Sequence, residues 1–598
     1  MDYRLKWFQP GNQRYVSGYL HGRKQPCVMA KLKAAPQLQQ FLLQPQATTL
    51  FAKVQQWWCQ TLECLDEPAK TANDWPSLLL QMCDMTEQLL GYLNYTVLPH
   101  RPYIDVPKNA AYSNEWSTVA LSVPHCSPEV VNRAWSVVVM VVELHLREKG
   151  SAPAESWLMK VLTPLREPMK KGTHQFFAAA AYELDIPFFL LQSDLTQFGQ
   201  GHKSQWLNHT FTERTSVIPV RIARQKWQAN LMLRRAGLPV PAIAPANDLK
   251  TAQEAAKRLG YPVVVKPADL DGGVGVAANL QNETQLNEAF KKSQKYSQNV
   301  LVEKHIQGRD YRIHVHDGHV DFAIERVPAG VFGDNKHTIA ELTTLENRHE
   351  RRREGPNKNL ATLILDEEAL QLLKAQGLTP QSVPAQDQFV YFRRVANISA
   401  GGRPIEALDK MHEDNKQLAI RAAQALRLDN AGIDLIIPDI SVSWKESTAA
   451  ICEINANPEL GNTSGLLMYR NVLRNRLQGN GRIPIYVVID ETDSSSPSTL
   501  LQETVQELRK SQDGVGWGDA DGVGIDKQIL LSKGLSANAT YEMLVIHQNV
   551  KAIVLRLNDK KVLNDGLPFE RIDHLLTATE ADQGSSLYQL AADYVPRA

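Results

Sequence analysis

The order of apolar and polar positions along this chain alternates between short strand-like runs and longer helical repeats. Apolar residues at every second position predict strands, and apolar residues that recur every three to four positions predict helices. The predicted elements are a strand at 115–123, helices at 128–149 and within 153–171, a helix at 175–184, strands at 186–191, 261–266, 299–304 and 482–489, and a helix at 499–512. Helix–strand alternation also resumes after Gln225. The pattern predicts a mixed α/β and α+β protein with several domains.

The length of 598 residues is enough for three or four domains. Changes in the pattern place boundaries near residues 165 and 480, which divides the chain into 1–165, 166–480 and 481–598. Basic and acidic residues are equal in number, 65 each. Bulk charge therefore does not indicate a nucleic-acid partner.

Cysteines and apolar runs exclude several further classes. The six cysteines include no C-x-x-C pair, so the sequence indicates neither a zinc site nor a disulfide framework. The first residues lack the apolar core of a signal peptide, and the apolar run 137–142 is too short to span a bilayer. We therefore expect a soluble, cytoplasmic protein without a membrane partner.

Three oxygen-bearing residues form the first candidate site. Glu453 and Asn455 lie two positions apart in an apolar run, so on a strand their side chains share a face. Asp434 lies 19 residues before Glu453 and can join them from a neighbouring strand. Such hard oxygen ligands suit Mg²⁺ that is carried by the phosphates of a nucleotide. The alternative is an edge strand that runs into a turn.

Two segments further upstream carry features that suit a nucleotide. The strand at 261–266 ends in Lys266, and the glycine-rich segment 271–276 follows it. A lysine charge and free backbone N–H groups can hold phosphates. The alternative is a glycine-rich hairpin turn. The strand at 299–304 leads into a turn and then Asp310, a carboxylate suited to a pair of ribose hydroxyls.

Two charged segments bear on the expected function, and the first is open to two interpretations. Residues 346–354 are rich in arginine and glutamate, which indicates either a solvated helix face or loop, or a clamp for carboxylates, since guanidinium groups grip carboxylates bidentately. Residues 490–496 lie between the strand at 482–489 and the helix at 499–512, where a phosphate-binding loop would lie. They include three carboxylates, no glycine and no lysine, so we expect that this loop does not bind a nucleotide.

Four features in a fixed order resemble the ATP-grasp ligases. They are a lysine, a glycine loop, the motif E-K-x-I-x-G-x-D at 303–310, and the set of Asp, Glu and Asn. The resemblance implies ATP and Mg²⁺ as cofactors and Asp434, Glu453 and Asn455 as metal ligands. The implied nucleotide-binding residues are Lys226 and Lys266 at the phosphates, Gly273 and Gly275 in the loop, Glu303 in the motif, Lys304 and the backbone of Ile306 at the adenine, and Asp310 at the ribose.

Other segments resemble the cyanophycin synthetase family, bacterial enzymes that build a polyaspartate backbone with arginine on each side chain. These segments are 213–218, 235–241, 308–312, 333–342, 393–402 and 433–440. The resemblance covers roughly 170–480 well and 481–580 faintly. It implies an N-terminal α/β domain that binds substrate or polymer, an ATP-grasp domain, and a truncated Mur-ligase-like α/β domain at the C-terminal end.

Two departures from the family pattern affect the expected substrate. The second, Mur-ligase-like module of full-length members opens with a loop whose lysine position is Ser494 here, and the chain ends at Ala598, short of a complete module. This implies the shorter type of enzyme, which polymerises ready-made β-aspartyl-arginine dipeptides. The glycine loop at 270–276 lacks a histidine and an arginine that the family usually has, which leaves the substrate preference open.

The resemblance also implies roles for residues that contact the substrate. Ser216, Arg351 and Arg352 would hold the chain end, and Arg312 and Arg326 would act as catalytic residues at the phosphate or the intermediate. The alternatives are a plain loop hydroxyl for Ser216 and surface ion pairs for the arginines. The implied partners are the cyanophycin chain, the dipeptide and a second copy of this chain, with a dimer favoured. The rival functions are an ATP-grasp ligase of another substrate, such as a glutathione-type enzyme, and a degenerate scaffold that primes a full synthetase.

Overall fold

The structure, a computed structural model, describes most of the chain. It describes residues 5–596 except 63–71, 94, 96, 99, 101, 108–114, 124–127, 149–154, 167–172, 193, 271–273, 350, 353–359, 395, 397, 461–466 and 493–495. The chain forms two compact units. The first comprises Met1–Phe188, Phe198–Ser204 and Leu477–Ala598, and the second comprises Phe189–Gln197 and Gln205–Arg476. The predicted domain boundaries at 165 and 480 remain a prediction.

The amino-terminal part of the first unit is an antiparallel sheet with helices packed against it. Its elements are β1 (Phe8–Val16), β2 (Cys27–Ala34), α1 (Pro36–Leu42), α2 (Pro45–Leu62), α3 (Trp75–Tyr92), β3 (Ile104–Asp105), β4 (Ser117–Ser122), α4 (Pro128–Arg147), α5 (Glu155–Arg166) and α6 (Thr173–Glu183). The strand order is β1-β2-β4-β3. Helix α4 buries Val131, Val138 and Val142 in the core, as its helical repeat predicts. The predicted strand at 115–123 and the helices at 128–149 and 175–184 are confirmed.

The second unit contains the candidate nucleotide motifs. Its elements are β5 (Phe188–Gln192), β6 (Leu195–Phe198), β7 (Gln205–Asn208), β8 (Phe211–Thr212), α7 (Val217–Arg224), α8 (Lys226–Arg235), β9 (Ile243–Ala246), α9 (Leu249–Leu259), β10 (Val263–Pro267), β11 (Ala277–Leu280), α10 (Glu283–Gln294), β12 (Val300–Lys304), β13 (Arg309–His316), β14 (His319–Val327), β15 (Gly330–Phe332), α11 (Ile339–Asn347), α12 (Glu367–Ala375), β16 (Phe389–Tyr391), β17 (Arg403–Glu406), α13 (Glu413–Ala425), β18 (Asn430–Ile437), β19 (Ala450–Asn455) and α14 (Leu467–Arg476).

Two antiparallel sheets of the second unit position the site. The smaller sheet has the order β11-β10-β12-β9, and helices α9 and α10 bury their apolar faces against it. The larger sheet has the order β17-β14-β13-β18-β19. On the larger sheet, Ile313, Ile433 and Ile454 face a core that includes helix α13. Because side chains alternate along a strand, the residues between these isoleucines face the other way.

The C-terminal part of the first unit is a sheet that is partly parallel. Its elements are β20 (Ile485–Ile489), α15 (Thr499–Ser511), β21 (Val515–Asp519), β22 (Gly522–Ile525), β23 (Gln528–Leu531), α16 (Ala537–Val545), β24 (Ala552–Leu557), α17 (Val562–Asp565), β25 (His574–Thr577) and α18 (Ser586–Ala592). The order is β23-β22-β21-β24-β20-β25, and β24 is parallel to both β20 and β21. The strand and helix predicted at 482–489 and 499–512 are confirmed.

Main-chain hydrogen bonds join the two parts of the first unit. Tyr19 N donates to Leu567 O at 2.8 Å, and Leu567 N donates back to Tyr19 O at 3.0 Å. The buried Gln200 side chain donates to the Tyr541 hydroxyl at 2.7 Å. The amino-terminal and C-terminal segments therefore fold as one unit. Among the residues that the structure describes, no helix combines the length and the apolar character needed to cross a bilayer.

Candidate active site

One face of the larger sheet collects the charged residues that the sequence singled out. Asp434 lies directly opposite Glu453, and Gly432 lies opposite Asn455, in the antiparallel pair β18–β19. Glu453 and Asn455 therefore share a face with Asp434, and the predicted geometry is confirmed. The register shifts just after this pair, where Cys452 is the extra residue of a β-bulge. Bulges bend a strand and re-aim its side chains.

Two arginines approach Asp434 from the neighbouring strands. Arg312 lies opposite Asp434 on β13, and its Nε is 2.7 Å from Asp434 Oδ1. Arg326 on β14 bridges two carboxylates, at 2.9 Å from Asp434 Oδ2 and 2.6 Å from Asp310 Oδ1. Burial raises the pKa of Asp434, but the two arginines outweigh burial and hold its pKa below the usual value. Asp434 is therefore ionised, as a metal ligand has to be.

The pKa of Asp310 is shifted upward, in the opposite direction from that of Asp434. Burial raises its pKa to about 6, against the lowering effect of Arg326 and with a further raising effect from Asp434. The same arginine thus contacts two carboxylates, and only Asp434 also has the Nε of Arg312 within 2.7 Å. The two carboxylates are tied together through one guanidinium.

Two lysines complete the charged cluster. Lys266, on β10 of the smaller sheet, is 2.6 Å from Glu303 Oε2 on β12, and both side chains are nearly buried. Lys226, the first residue of α8, is 3.2 Å from Glu453 Oε1. Burial lowers the pKa of Lys266, but Glu303, Cys452 and Glu453 more than offset burial, and the net shift is upward. Lys266 of the smaller sheet and Glu453 of the larger sheet therefore act on one another.

These residues fit a divalent cation bound to a nucleotide. Asp434 Oδ1 is buried and has no hydrogen-bond partner, although Arg312 lies close to it. An ionised carboxylate oxygen of this kind is a ligand that Mg²⁺ takes, and Glu453 and Asn455 add two more hard oxygens on the same face. Among the described residues, no group of three or more His, Cys, Asp and Glu side chains has the arrangement of a metal site.

The remaining residues that the sequence predicts to bind a nucleotide lie around the smaller sheet. Lys304 Nζ donates to the carbonyl oxygens of Gly260 and Tyr261, at 2.8 and 3.1 Å. Ile306 lies in the turn between β12 and β13. Gly275 has a φ of +72°, and a Cβ there would lie 3.0 Å from Pro267 Cγ, so the loop needs a glycine at this position. Gly273 lies outside the described residues.

Ser216 is exposed at the amino-terminal end of α7, and its hydroxyl accepts a hydrogen bond from Ile218 N at 3.4 Å. The segment before it is fixed by Asp429, which accepts hydrogen bonds from Thr212 Oγ1 at 2.5 Å and Thr215 Oγ1 at 2.8 Å. Arg476 also donates to Asp429, at 2.8 Å. The serine predicted to hold the chain end is thus presented by an anchored segment, and its role remains a prediction.

The predicted carboxylate clamp lies in the turn after α11. The Arg352 side chain is buried, and its guanidinium donates to Glu346 Oε1 at 3.1 Å and to Ala361 O at 2.6 Å. Arg351 accepts a main-chain hydrogen bond from Leu360 N at 2.8 Å. Arg352 therefore fixes the turn itself, and the substrate-binding role of both arginines remains a prediction. The rest of the charged segment, at 350 and 353–354, lies outside the described residues.

Two family models match within the second unit. Residues 232–347 match the D-ala D-ala ligase C-terminus, and residues 390–469 match the RimK-like ATP-grasp domain. The first match contains Lys266, Asp310, Arg312 and Arg326, and the second contains Asp434, Glu453 and Asn455. Apart from Lys226, the charged cluster thus lies within the two matched stretches.

Curated cyanophycin synthetases are similar to this chain in sequence. The chain is 31% identical over 398 residues to a cyanophycin synthetase of Trichormus variabilis, which covers 64% of this chain and 44% of the relative. It is 29% identical over 413 residues to the cyanophycin synthetase of Crocosphaera subtropica, covering 67% of this chain and 47% of the relative. The chain is thus similar to cyanophycin synthetases over about two thirds of its own length. It spans about half the length of these relatives.

Glutathione-forming proteins are also similar to this chain. The glutathione biosynthesis bifunctional protein GshAB of Pasteurella multocida is 34% identical over 262 residues, covering 42% of this chain and 34% of that protein. The solved structure of a bifunctional glutathione synthetase from Pasteurella multocida aligns with a TM-score of 0.40 and 21% identity, over 75% of this chain and 81% of that one. The sequence relatives together support an ATP-dependent carboxylate–amine ligase.

Several residues of this candidate site carry no clear signal in the sequence. Cys452 lies close enough to Lys266, Glu303 and Asp434 to interact with their charges, and burial raises the pKa of its thiol. His314 follows Arg312 by two residues on the same face, and burial, reinforced by Arg312, lowers its pKa to about 3. The even spacing of 310, 312 and 314 on a strand was the signal that could have found His314. Cys452 carried no such signal, because a bulge cannot be read from the pattern.

Proposed function

We propose that this protein is an ATP-dependent ligase that polymerises β-aspartyl-arginine dipeptides into cyanophycin. The observation that carries the proposal is the cluster in which Asp434, Glu453 and Asn455 share one sheet face with Arg312 and Arg326, with Lys266 close to Glu453. The similarity to cyanophycin synthetases supports the substrate class. These residues support a single ligase site, and the polymerisation is proposed for the protein as a whole.

The proposed reaction has two steps. The C-terminal carboxylate of the chain attacks the γ-phosphorus of ATP, which gives an acyl phosphate and ADP. The amine of the incoming dipeptide then attacks the acyl carbon, which forms an amide bond and releases phosphate and a proton. Such a reaction needs no nucleophile from the protein, so catalysis consists of placement and charge neutralisation.

The proposed roles follow from the charges of the cluster. Lys226 and Lys266 hold the ATP phosphates, Asp310 binds the ribose, and Lys304 and Ile306 contact the adenine. Arg312 and Arg326 neutralise charge on the transferred phosphoryl group or the acyl phosphate. Asp434, Glu453 and Asn455 would hold Mg²⁺, which when bound neutralises phosphate charge. Ser216, with Arg351 and Arg352, holds the end of the chain.

The use of a preformed dipeptide rests on the loop after β20. A full synthetase needs a second ligation to attach arginine, and a second nucleotide site for it. At 490–496 the loop has no glycine or lysine, and the Arg556 guanidinium donates to the carbonyls of Asp490 and Ser496, at 3.0 and 2.6 Å. These features support one ligase site per chain, which suffices when each added unit already carries its arginine.

Product analysis tests the proposal directly. The purified protein with ATP, Mg²⁺, a cyanophycin primer and β-aspartyl-arginine is expected to extend the primer by one dipeptide mass at a time in mass spectrometry. Free aspartate with free arginine is expected to give no extension. Extension from the free amino acids would contradict the proposal, as would a lack of extension from the dipeptide.

One other ligase function has an observation in its favour. The identity to GshAB of Pasteurella multocida is 34% over 262 residues, slightly above that to the cyanophycin synthetases but over a shorter stretch. A glutathione-type ligase would release ADP with a small thiol dipeptide and an amino acid, and a primer would not be needed. A non-catalytic scaffold is disfavoured by the retained Lys226, Lys266, Asp434 and Glu453. Measuring ADP release with and without primer separates the three functions.

The proposal includes a homo-oligomer, with a dimer favoured. Light scattering coupled to gel filtration measures this directly: a mass near twice 67.0 kDa is expected. A mass of one chain across the working concentration range would contradict it.

A further inference from the structure

We infer that Gly432 is a positioning residue that leaves the space in which the Arg312 guanidinium lies beside Asp434. The inference rests on the proposed function, because it takes Arg312 to be a group that contacts the transferred phosphoryl group or the intermediate. Gly432 lies on β18, two residues before Asp434 and on the same face. No motif in the sequence singled it out.

The backbone does not explain a glycine at this position. Gly432 lies inside β18 between Ala431 and Ile433 and is paired in register with both His314 and Asn455. It is absent from the glycines with positive φ, so any residue could adopt its conformation. A glycine in the interior of a strand weakens the strand and often marks a close approach by another group. The reason for the glycine therefore lies in the space above it.

That space is filled by Arg312. A Cβ on Gly432 would lie 2.6 Å from Arg312 Nη1 and 3.5 Å from Arg312 Cδ. The first distance is far shorter than two non-bonded atoms tolerate. The side chain of Arg312 thus crosses over Gly432, while its Nε reaches Asp434 on the neighbouring strand at 2.7 Å. Any side chain at 432 would take the place of the guanidinium.

The wall on the other side of this space is fixed. The same Cβ would lie 2.9 Å from Pro458 Cβ. Pro458 O accepts a hydrogen bond from the buried Thr210 hydroxyl at 3.1 Å, and the same hydroxyl donates to Asn457 Oδ1 at 2.6 Å. Asn430 at the start of β18 donates to Thr210 O at 2.7 Å. A methyl group at 432 would therefore have to displace both contacts, and the flexible end of Arg312 gives way further than the anchored Pro458.

The displacement would separate two groups that the proposed reaction needs together. Asp434 would keep Arg326 but lose Arg312, and Arg312 would no longer lie at the face shared by Glu453 and Asn455. A catalytic group moved by about 1 Å can cost on the order of 10²-fold in rate. Binding of ATP depends mainly on the lysines and on Asp310, so we expect it to change little.

Crystal structures and a double-mutant cycle test the inference. Gly432→Ala is expected to break the Arg312–Asp434 pair in the crystal structure and to lower kcat on the order of 10²-fold, with the KM for ATP within about threefold. In an Arg312→Ala background only the contact with Pro458 remains, so Gly432→Ala should lower kcat by less than about tenfold. Gly91→Ala is the matched control, since its Cβ would meet nothing within 4 Å and its φ is not positive.

Each outcome either supports or overturns the inference. A Gly432→Ala structure with the Arg312–Asp434 pair intact would overturn it, and so would an equal loss of kcat in both backgrounds, since that would mean a general weakening of the strand. A wild-type protein without any ATP-dependent turnover would overturn the proposed function. The crystal structures would still decide whether Gly432 determines the place of Arg312.

Discussion

The charged cluster on β13, β14, β18 and β19 and the charged cluster at the end of β20 contain the same ingredients. Each has two acidic side chains beside an arginine that is partly or fully buried. In the first, the guanidinium of Arg326 contacts the side-chain carboxylates of Asp310 and Asp434. In the second, Arg556 lies 3.4 Å from Asp490 Oδ1 and 3.2 Å from Asp519 Oδ1.

The two arginines differ in what else they bind. Arg556 also donates to the main-chain carbonyls of Asp490 and Ser496, so its guanidinium ties the loop to β24. Asp519 in turn accepts from Ser498 N at 2.6 Å, at the start of α15. Moving Arg556 would open the loop. The contacts of Arg312 and Arg326 go to carboxylates, which can exchange a guanidinium for a metal ion or a phosphate without unfolding a loop.

A buried ion pair therefore indicates a reactive site only when a ligand can replace one of its partners. A guanidinium that holds the main chain stabilises the fold, and removing it leaves buried charges without partners. A guanidinium between two side-chain carboxylates lies where a ligand can compete for them. The four predictions below test this difference.

Removing Lys266 is expected to have the largest effect on binding. Equilibrium binding of ATP with Mg²⁺ should give one site per chain, and Lys266→Ala should abolish it, because Lys266 supplies charge for the phosphates from a nearly buried position. The C-terminal loop should contribute no second site.

Two control variants test whether the loss of ATP binding is specific to Lys266. Lys257→Ala changes an exposed lysine on α9 and should leave binding unchanged. Lys266→Ala leaves the charge of Glu303 buried without its lysine, which destabilises the fold. The double variant Lys266→Ala, Glu303→Gln removes that charge. If the double variant is folded and still does not bind ATP, the loss of binding comes from the missing lysine and not from misfolding. A second site that survives in Lys266→Ala would mean that the loop at 490–496 binds nucleotide after all.

Removing Arg556 is expected to have the largest effect on stability. Arg556→Ala should lower the free energy of unfolding of its unit by about 3–5 kcal/mol, since it leaves Asp490 and Asp519 buried without their cation. Denaturant unfolding measures the change. Arg509→Ala is the matched control, since it removes only a long-range pair at 3.9 Å to Asp526.

The ATP stoichiometry of Arg556→Ala completes the comparison. One site per chain is expected in this variant wherever it remains folded. A stable Arg556→Ala protein, within about 1 kcal/mol of wild type, would show that the pair contributes no more than an exposed ion pair does.

Removing one of the oxygen ligands is expected to affect turnover and to leave stability unchanged. Glu453→Ala or Asn455→Ala should lower kcat roughly 10²-fold or more, because charge neutralisation at the phosphoryl group is lost. Thermal unfolding should be near that of wild type. Glu446→Ala, an exposed residue between β18 and β19, is the control. Activity of Glu453→Ala within about threefold of wild type would show that the metal assignment is wrong.

The sequence was a good guide to this cluster where the evidence was periodic. Glu453 and Asn455 could be placed on one face from their spacing alone, and Asp434 could be placed beside them once a neighbouring strand was assumed. The bulge at Cys452 and the close approach of Arg312 to Gly432 depend on register and on side-chain direction across three strands. Spacing along one strand does not contain that information.

The sequence was less informative about the C-terminal loop. It showed three carboxylates and no lysine at 490–496, from which repulsion of a phosphate was expected. The structure pairs Asp490 with Arg556, which lies 66 residues further along the chain. Part of that negative charge is therefore neutralised within the protein. Such a partner is brought near by the parallel pairing of β20 and β24, which no local pattern specifies.

The last prediction concerns a third buried pair, in which the arginine is bound to a histidine. Arg476 Nε donates to His316 Nε2 at 2.5 Å, so this histidine must be neutral in the fold. Burial, with Arg476, lowers its pKa to about 4, from an ordinary value near 6.5. The unfolded state therefore takes up a proton between pH 6.5 and 4, and the folded state does not. Stability is lost as the pH falls through this window, by about 2 kcal/mol between pH 7 and pH 5.

Comparison of two proteins isolates this contribution from the other groups that titrate. His316→Gln keeps a side-chain oxygen that can accept from Arg476 and has no proton to gain, so its free energy of unfolding should fall about 2 kcal/mol less than that of wild type between pH 7 and pH 5. Arg476 also contacts Asp317 and Asp429, and Asp429 has a lowered pKa and titrates below this window. Asp321, 3.5 Å from His316 Nδ1, has its pKa raised by burial to about 6 and titrates in both proteins, so the comparison cancels its contribution. His319→Gln, at an exposed position nearby, is the control. If the free energy of unfolding varied with pH in the same way in wild type and His316→Gln, Arg476 would not hold His316 neutral. The contacts of Arg476 would then be as exchangeable as those around Asp434.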